Sequence, residues 1–276
     1  MSQSALARPA EVSTIPASRR FFRRVRSLIF HSESLYRLSL RARFGATDPR
    51  PPQAPLPNQA LRNRAAWQQA DQLGRQRHLP LHRAPEKNWD HLAAVYAILR
   101  TFPKTAAIFD AGAELYSNVL PALFACGYRN LYGMNLAFTR AARRGPIRYL
   151  PGDITRTGFA DASFDAITCM SVIEHGVPLE PYFRESLRIL KPGGLLITST
   201  DYYPTPIDTA GKLAYGAPIK IFTQKDVQAM VALATAMGFE TTGPIDFACD
   251  EPSVRWENYQ LDFSFLVFTL RKPAHA

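Results

Sequence analysis

After Phe102 the chain alternates between short apolar runs and stretches whose apolar residues recur at helical spacing. The runs are TAAIFDAG, NLYGMNL, PIRYLPGD, FDAITCMSV and GLLITST, with a later aromatic-rich run, LDFSFLVFTL. Uninterrupted apolar runs of this length suit strands covered on both faces, and strand–helix alternation predicts a mostly parallel sheet wrapped by helices. Helices are predicted at 117–126, 179–190 and 223–238. The second places Leu179, Tyr182, Phe183, Leu187 and Leu190 on one face and stops at Lys191-Pro192-Gly193-Gly194, read as a turn. The third opens with Thr223-Gln224-Lys225-Asp226, a capping-box arrangement. The fold class is therefore α/β, doubly wound, with a seven-stranded, mostly parallel sheet and an antiparallel last strand.

The front of the chain reads differently. Residues 1–18 are rich in Ser, Ala and Pro, the composition of a disordered segment. In RRFFRRVRSLIF, Phe21, Phe22, Val25, Leu28 and Ile29 recur at helical spacing, with Arg19, Arg20, Arg23, Arg24 and Arg26 largely on the other side. Residues 48–58, DPRPPQAPLPN, form an extended linker, and 58–100 are helical in pattern. Three parts follow: a basic extension (1–57), a helical segment packing on the core (58–100) and the α/β domain (101–276).

Charge sharpens this division. The 276 residues carry a net +10, but residues 1–100 hold 17 Lys/Arg against 6 Asp/Glu and residues 101–276 hold 16 against 17. The basicity belongs to the extension, so the overall isoelectric point says little about the core. Cys126, Cys169 and Cys249 are odd in number and widely spaced, which argues against a disulfide framework or a zinc site and for a reduced, cytoplasmic setting. No metal is expected. No run is long and apolar enough to cross a bilayer.

Ligands of doubly wound sheets bind beyond the carboxyl ends of the strands, so the residues just after each run are the candidates. Asp110-Ala111-Gly112 pairs a carboxylate with a glycine that lets backbone approach a ligand. Asn135 offers hydrogen bonds to ribose hydroxyls, and Gly152-Asp153-Ile154 a carboxylate for an adenine amino group. His175 follows the fourth run and Asp201 the fifth, with Tyr202, Tyr203 and Asp208 as further substrate contacts.

Taken in order, D-x-G-x-x-x-x-S, G-D-I, F-D-A-I-T-C-M-S-V-I-E-H and L-K-P-G-G resemble the class I S-adenosylmethionine-dependent methyltransferases over about residues 106–200. The later stretch TDYYPTPIDTAG…IKIFTQKDV…GFE resembles members associated with surface polysaccharides and nucleotide sugars. The resemblance implies S-adenosyl-L-methionine as cofactor. Asp110 and Gly112 would border its methionine part, Asn135 its ribose, and Asp153 with Ile154 its adenine, while Met170 and Ser171 would line the floor beneath the reacting methyl. His175, with Asp201 as second candidate, would take the proton of a hydroxyl acceptor. The acceptor expected is a small molecule, a sugar or glycolipid precursor.

Two departures accompany the resemblance. Only Gly112 remains of the usual G-x-G-x-G, with Glu114 and Tyr116 in the later glycine places. A left-handed conformation there would cost roughly 1–2 kcal/mol per residue, so the loop must take another path. The second strand ends in Asn135 instead of an acid; a lost charged hydrogen bond of about 1.5–3 kcal/mol weakens binding roughly 10- to 150-fold. A non-catalytic methyltransferase-like scaffold is the alternative reading. For the Arg-rich stretch, peripheral contact with an anionic membrane stands beside a solvated or inter-subunit helix, ahead of nucleic acid, for which no binding module is present.

Overall fold

The computed structural model describes residues 27–274. The Ser/Ala/Pro-rich start and the arginines at 19, 20, 23, 24 and 26 lie outside the described residues. Residues 27–31 are helical and pass through Ser32, whose hydroxyl caps Leu35 N, into α1 (Glu33–Phe44). A proline-rich stretch follows, held to the body where Arg100 donates to the carbonyls of Pro52 and Pro55. Next come β1 (Gln59–Ala60), α2 (Arg64–Gln76) and α3 (Asn88–Thr101). The α/β part runs β2 (Ala107–Ala111), α4 (Val119–Ala125), β3 (Asn130–Asn135), β4 (Ala142–Arg144), β5 (Ile147–Pro151), β6 (Phe164–Met170), α5 (Leu179–Ile189) and β7 (Leu190–Tyr202). It closes with β8 (Leu213–Ala214), β9 (Ala217–Pro218), α6 (Gln224–Ala236), β10 (Glu240–Thr241), β11 (Val254–Trp256) and β12 (Leu261–Arg271).

The sheet order is β1-β12-β7-β6-β2-β3-β5-β4. The five strands β7, β6, β2, β3 and β5 are parallel, and β12 runs antiparallel to β7 from Ser264↔Tyr202 to Arg271↔Leu195. This is the doubly wound plan with its reversed last strand. Where a seventh long strand was expected, two-residue β1 and β10 pair with β12 instead. β1 is therefore a strand inside a segment whose pattern read as helical.

Helices cover both faces because both faces are apolar. On one side α3 and α4 bury Val95, Ile98, Leu120 and Phe124 against Ile108, Leu131 and Leu195; on the other α5 and α6 bury Tyr182, Phe183, Val227 and Met230 against Phe109, Ile167 and Leu196. The capping box at Thr223 and Asp226 forms with both of its bonds. Lys191-Pro192-Gly193-Gly194 is not a free turn: α5 passes straight into β7, and the register shifts between Phe164 and Ala166. Gly194 explains the choice of residue, since a Cβ there would lie 2.8 Å from Lys191 O and 3.0 Å from Asp165 O.

The chain leaves β2 toward β3 and β5, then returns to β6 on the other side of β2. The helices after β2 and β6 lie on opposite faces, so a crevice opens at the carboxyl ends there, the usual ligand position in such sheets.

Candidate active site at the strand ends

Three loops converge at one end of this crevice. Gly112 N donates to Met134 O at 2.9 Å, Asn135 Nδ2 donates to Gly112 O at 3.0 Å, and Gly152 N donates to Asn135 O at 3.3 Å. Gly112 adopts φ +80°, and a Cβ on it would lie 2.4 Å from Val172 Cγ2. Glycine thus lets the loop after β2 close onto the loop after β6. Glu114 and Tyr116 take no left-handed conformation. The loop turns instead through Ser117, whose N donates to Glu114 O and whose hydroxyl accepts from Glu114 N.

Glu114 is half-buried, which raises its carboxyl, and its Oε1 lies 3.4 Å from Asn135 Nδ2. Asn135 Oδ1 accepts Ala137 N at 2.8 Å. The amide is thus largely committed to its own loops, and Glu114 supplies the carboxylate in that corner. Tyr116 is 60% exposed, edge-on to His82, and its hydroxyl is hydrogen-bonded to that of Tyr215. Asp153 is exposed; its Oδ1 takes both bonds from Thr155, and Ile154 beside it is buried. Asp110, 3% exposed, does not reach the crevice surface: its carboxylate accepts Thr168 Oγ1 at 2.7 Å, and burial pushes it up to about 7.

The other end of the crevice gathers titratable groups beneath β6 and β7. Ser171 stands in a left-handed conformation (φ +53°), fixed by Ser199, whose carbonyl and hydroxyl both accept Ser171 N. Ser199 Oγ in turn donates to buried Asp90 at 2.5 Å. Lys87, from the turn that opens α3, donates to Ser171 Oγ at 2.7 Å and holds its ammonium 4.0 Å above the Phe265 ring. Half-buried Met170 lies beside Ser171.

Behind Ser171 lies a buried carboxyl pair. Glu174 is 1% exposed and Asp201 3%, and one oxygen of each, Oε1 and Oδ1, has no donor of the ordinary kind. Burial and the Asp201 charge drive Glu174 far above the usual carboxylate range, so it keeps its proton and donates it to Asp201. Burial raises Asp201 too, but the Lys87 ammonium opposes that shift. Glu174, Asp201 and Lys87 thus act on one another's charge, and Lys87 is hydrogen-bonded to Ser171.

His175 closes the short helical turn Ile173–His175. Burial, aided by Lys87, pushes its imidazole down to about 4, so the ring is neutral near pH 7, and its Nδ1 is buried without a partner. Tyr215, at the tip of the β8–β9 hairpin, lies edge-on to it at 4.9 Å, and Trp256 at 6.3 Å. Tyr259 packs on Trp256 at 4.5 Å. Below, His91 and Asn118 bond to one another within a buried polar network through Asn88 to Asp71.

The structure thus groups Gly112, Asn135 and Asp153 with Ile154 at one end of the crevice, and Met170, Ser171, His175 and Asp201 at the other. Asp110 underlies the first group. Sequence reading missed Lys87, a lone lysine before a helix with no pattern to mark it, and Asp90 and Ser199, which act only through the contacts above. Among the described residues no His/Cys/Asp/Glu cluster fit for a metal occurs.

The strand ends thus gather carboxylates and an amide at one end and unpaired nitrogen and oxygen atoms at the other. The methyltransferase-domain family (Methyltransf_11) matches residues 112–198, the span containing Gly112, Asn135, Asp153, Ser171 and His175. Over that span, about a third of the chain, the sequence is similar to the methyltransferase domain. Over 118 residues it is 31% identical to a sterol 24-C-methyltransferase of Yarrowia lipolytica, covering 40% of this chain and 30% of that protein. Over 80 residues it is 34% identical to a demethylmenaquinone methyltransferase of Beutenbergia cavernae, covering 29% and 32%. The chain spans about a third of the length of these curated relatives. A solved S-adenosylmethionine-dependent methyltransferase from Mesorhizobium loti superposes with TM-score 0.46 at 16% identity, covering 67% of this chain and 98% of that one. The Burkholderia thailandensis 1,6-didemethyltoxoflavin-N1-methyltransferase does so with TM-score 0.45 at 17% identity, covering 76% and 79%.

Proposed function

We propose that this protein is an S-adenosylmethionine-dependent methyltransferase that modifies an oxygen of a small molecule, a sugar or glycan precursor. The observation that carries the reading is the neutral His175 imidazole, with an unpartnered Nδ1, beside the Glu174–Asp201 pair at the mouth of the crevice.

The residues present suit the cofactor. Asp153 and Glu114 offer carboxylates for an amino group and hydroxyls, Ile154 and Met170 offer apolar contact, and Gly112 lets Val172 pack directly on the loop after β2. S-adenosylmethionine, when bound, supplies a methyl group made electrophilic by its sulfonium. The protein's task is to align the acceptor oxygen with that methyl and take the proton the oxygen loses as its new bond to carbon forms. His175 is the first acceptor of that proton and Asp201 the second, since both are unprotonated near neutrality. The faces of Tyr215, Trp256 and Tyr259 suit the C–H face of a sugar ring, with phenolic hydroxyls at the rim.

Titration of the full chain with S-adenosylhomocysteine tests the cofactor assignment. Micromolar binding weakened by Asp153→Ala supports it; no saturation at millimolar ligand refutes it and leaves the scaffold reading. A screen of hydroxylated metabolites with methyl-labelled cofactor then tests the acceptor class. Label found only on amine nitrogens would refute oxygen transfer.

A further inference from the structure

Helix α1 is apolar on two opposite sides. Its inner side carries Tyr36, 4% exposed and stacked on Phe124 at 5.4 Å, together with partly buried Leu40. Its outer side carries Leu35 and Leu38, exposed by 44% and 63%, with Ala42 exposed one turn further on. At 3.6 residues per turn these three form one stripe; Leu28, 66% exposed, lies in the separate helical turn before the break at Ser32. Exposed Arg41 and Arg43 flank the stripe on either side.

The basic character continues onto neighbouring structure. Gly145 N donates to Phe30 O at 2.7 Å and Arg144 lies over the Phe30 ring at 4.9 Å, which ties the β4–β5 hairpin and its exposed Arg143 to the start of this helix. The acid of the helix, Glu33, is already engaged by Arg37 and Arg129. Among the described residues, Arg41, Arg43 and Arg143 have no carboxylate partner within ion-pair distance.

We infer that the outer face of α1 docks on an anionic lipid bilayer, with Leu35 and Leu38 entering the headgroup boundary and Arg41 and Arg43 held at the phosphate level. A central apolar stripe with arginines on both flanks is the arrangement that buries the stripe while the guanidinium groups snorkel to the anionic interface. A second copy fits worse. A two-fold contact through this face would bury Arg41 and Arg43 of both copies, and the one acid of the helix, Glu33, is already engaged by Arg37 and Arg129. Duplex nucleic acid fits worse too, since the part of the face that would meet the phosphates is leucine. The inference is independent of the methyltransferase reading.

The test is co-sedimentation of the full chain with vesicles of phosphatidylcholine alone and of phosphatidylcholine with phosphatidylglycerol. The protein should partition onto the anionic vesicles only, and added salt should release it. Leu35→Asp/Leu38→Asp should lower partitioning at least about 10-fold, and Arg41→Gln/Arg43→Gln roughly 10- to 30-fold. Leu213→Asp, at a leucine 59% exposed on the β8–β9 hairpin, should leave it unchanged. All four leucine and arginine positions are exposed, so thermal midpoints should match wild type and separate lost docking from lost folding. The inference is overturned if wild type ignores anionic vesicles, or if both double variants bind as wild type does. It is equally overturned if the leucine pair instead abolishes a concentration-dependent dimer seen without lipid.

Discussion

Gly112→Ala tests whether the crevice is built by direct contact between the loops after β2 and β6. Two costs follow from the structure. At φ +80° an L-residue meets its own carbonyl, worth roughly 1–2 kcal/mol. The added methyl would sit 2.4 and 2.7 Å from the two Val172 methyls, and overpacking of this kind costs roughly 1–3 kcal/mol. The sum, about 2–5 kcal/mol, should lower the thermal midpoint by roughly 4–20 °C at about 2–4 °C per kcal/mol for a domain of this size. The two costs separate in a double-mutant cycle, because Val172→Ala removes the collision and leaves the backbone strain. Urea denaturation of wild type, both single variants and the double should show a favourable coupling of about 1–3 kcal/mol. A Gly112→Ala variant within about 0.5 kcal/mol of wild type, or additive single effects, would refute the close approach of the two loops.

Burial lifts Asp110 to about 7, so between its ordinary value and that pH the folded state holds a proton the unfolded chain has released. Stability therefore falls as pH rises through this window, by up to about 1.4 kcal/mol per pH unit, and Asp110→Asn should flatten the slope; equal slopes in urea titrations from pH 4 to 8 would contradict it. His175 and His82 are pushed the other way, to about 4, so the unfolded chain takes up their protons first and stability is lost as pH falls from 6.5 toward 4. His175→Ala should remove part of that loss, reduce turnover roughly 100-fold or more, and leave S-adenosylhomocysteine affinity within about threefold; equal losses of turnover and affinity would mark a structural role. Lys87→Met strips Asp201 of its nearby cation, and the carboxyl pair should then titrate at higher pH by carbon-13 NMR; an unmoved titration would remove Lys87 from the cluster.

Much of the fold was legible because the parallel strands are buried on both faces and their residues form unbroken apolar runs. AIFDA, NLYGMN and FDAITCM needed no alternation to be read, and Pro-Gly-Gly marked the end of α5. What escaped was set by tertiary contact. Gln59 and Ala60 form a strand only because the edge of β12 is free to receive them, at Val267 and Leu266. Lys191–Gly194 carries turn residues, yet lies within β7 because Gly194 must pass close to Asp165 O. At the site the glycine, the turn carboxylate and the histidine follow strand ends and could be found by position. Lys87 could not, since only the folding of α3 across the β12 end of the sheet brings its ammonium to Ser171.

The division between legible and illegible residues matches a division of labour. The matched span supplies Gly112, Asn135, Asp153, Ser171 and His175, residues at or just past the ends of the parallel strands. In the function proposed above, the groups that tune the charge of the reaction end and face an acceptor come from outside that span: Lys87 and Asp90 before it, and Asp201, Tyr215, Trp256 and Tyr259 after it. A methyl donor common to many enzymes can be held by a shared loop set, whereas an acceptor is discriminated by the walls it touches. Tyr215 shows how such a wall is made: φ +53° at the hairpin tip, followed by Gly216 at φ +82°, turns the ring back over His175. Replacing Gly216 by a β-branched residue would strain that tip and withdraw the ring without touching the cofactor loops. Gly216→Val should therefore alter which hydroxylated acceptors are used while leaving S-adenosylhomocysteine affinity unchanged. Loss of that affinity would show that the hairpin belongs to the cofactor site instead.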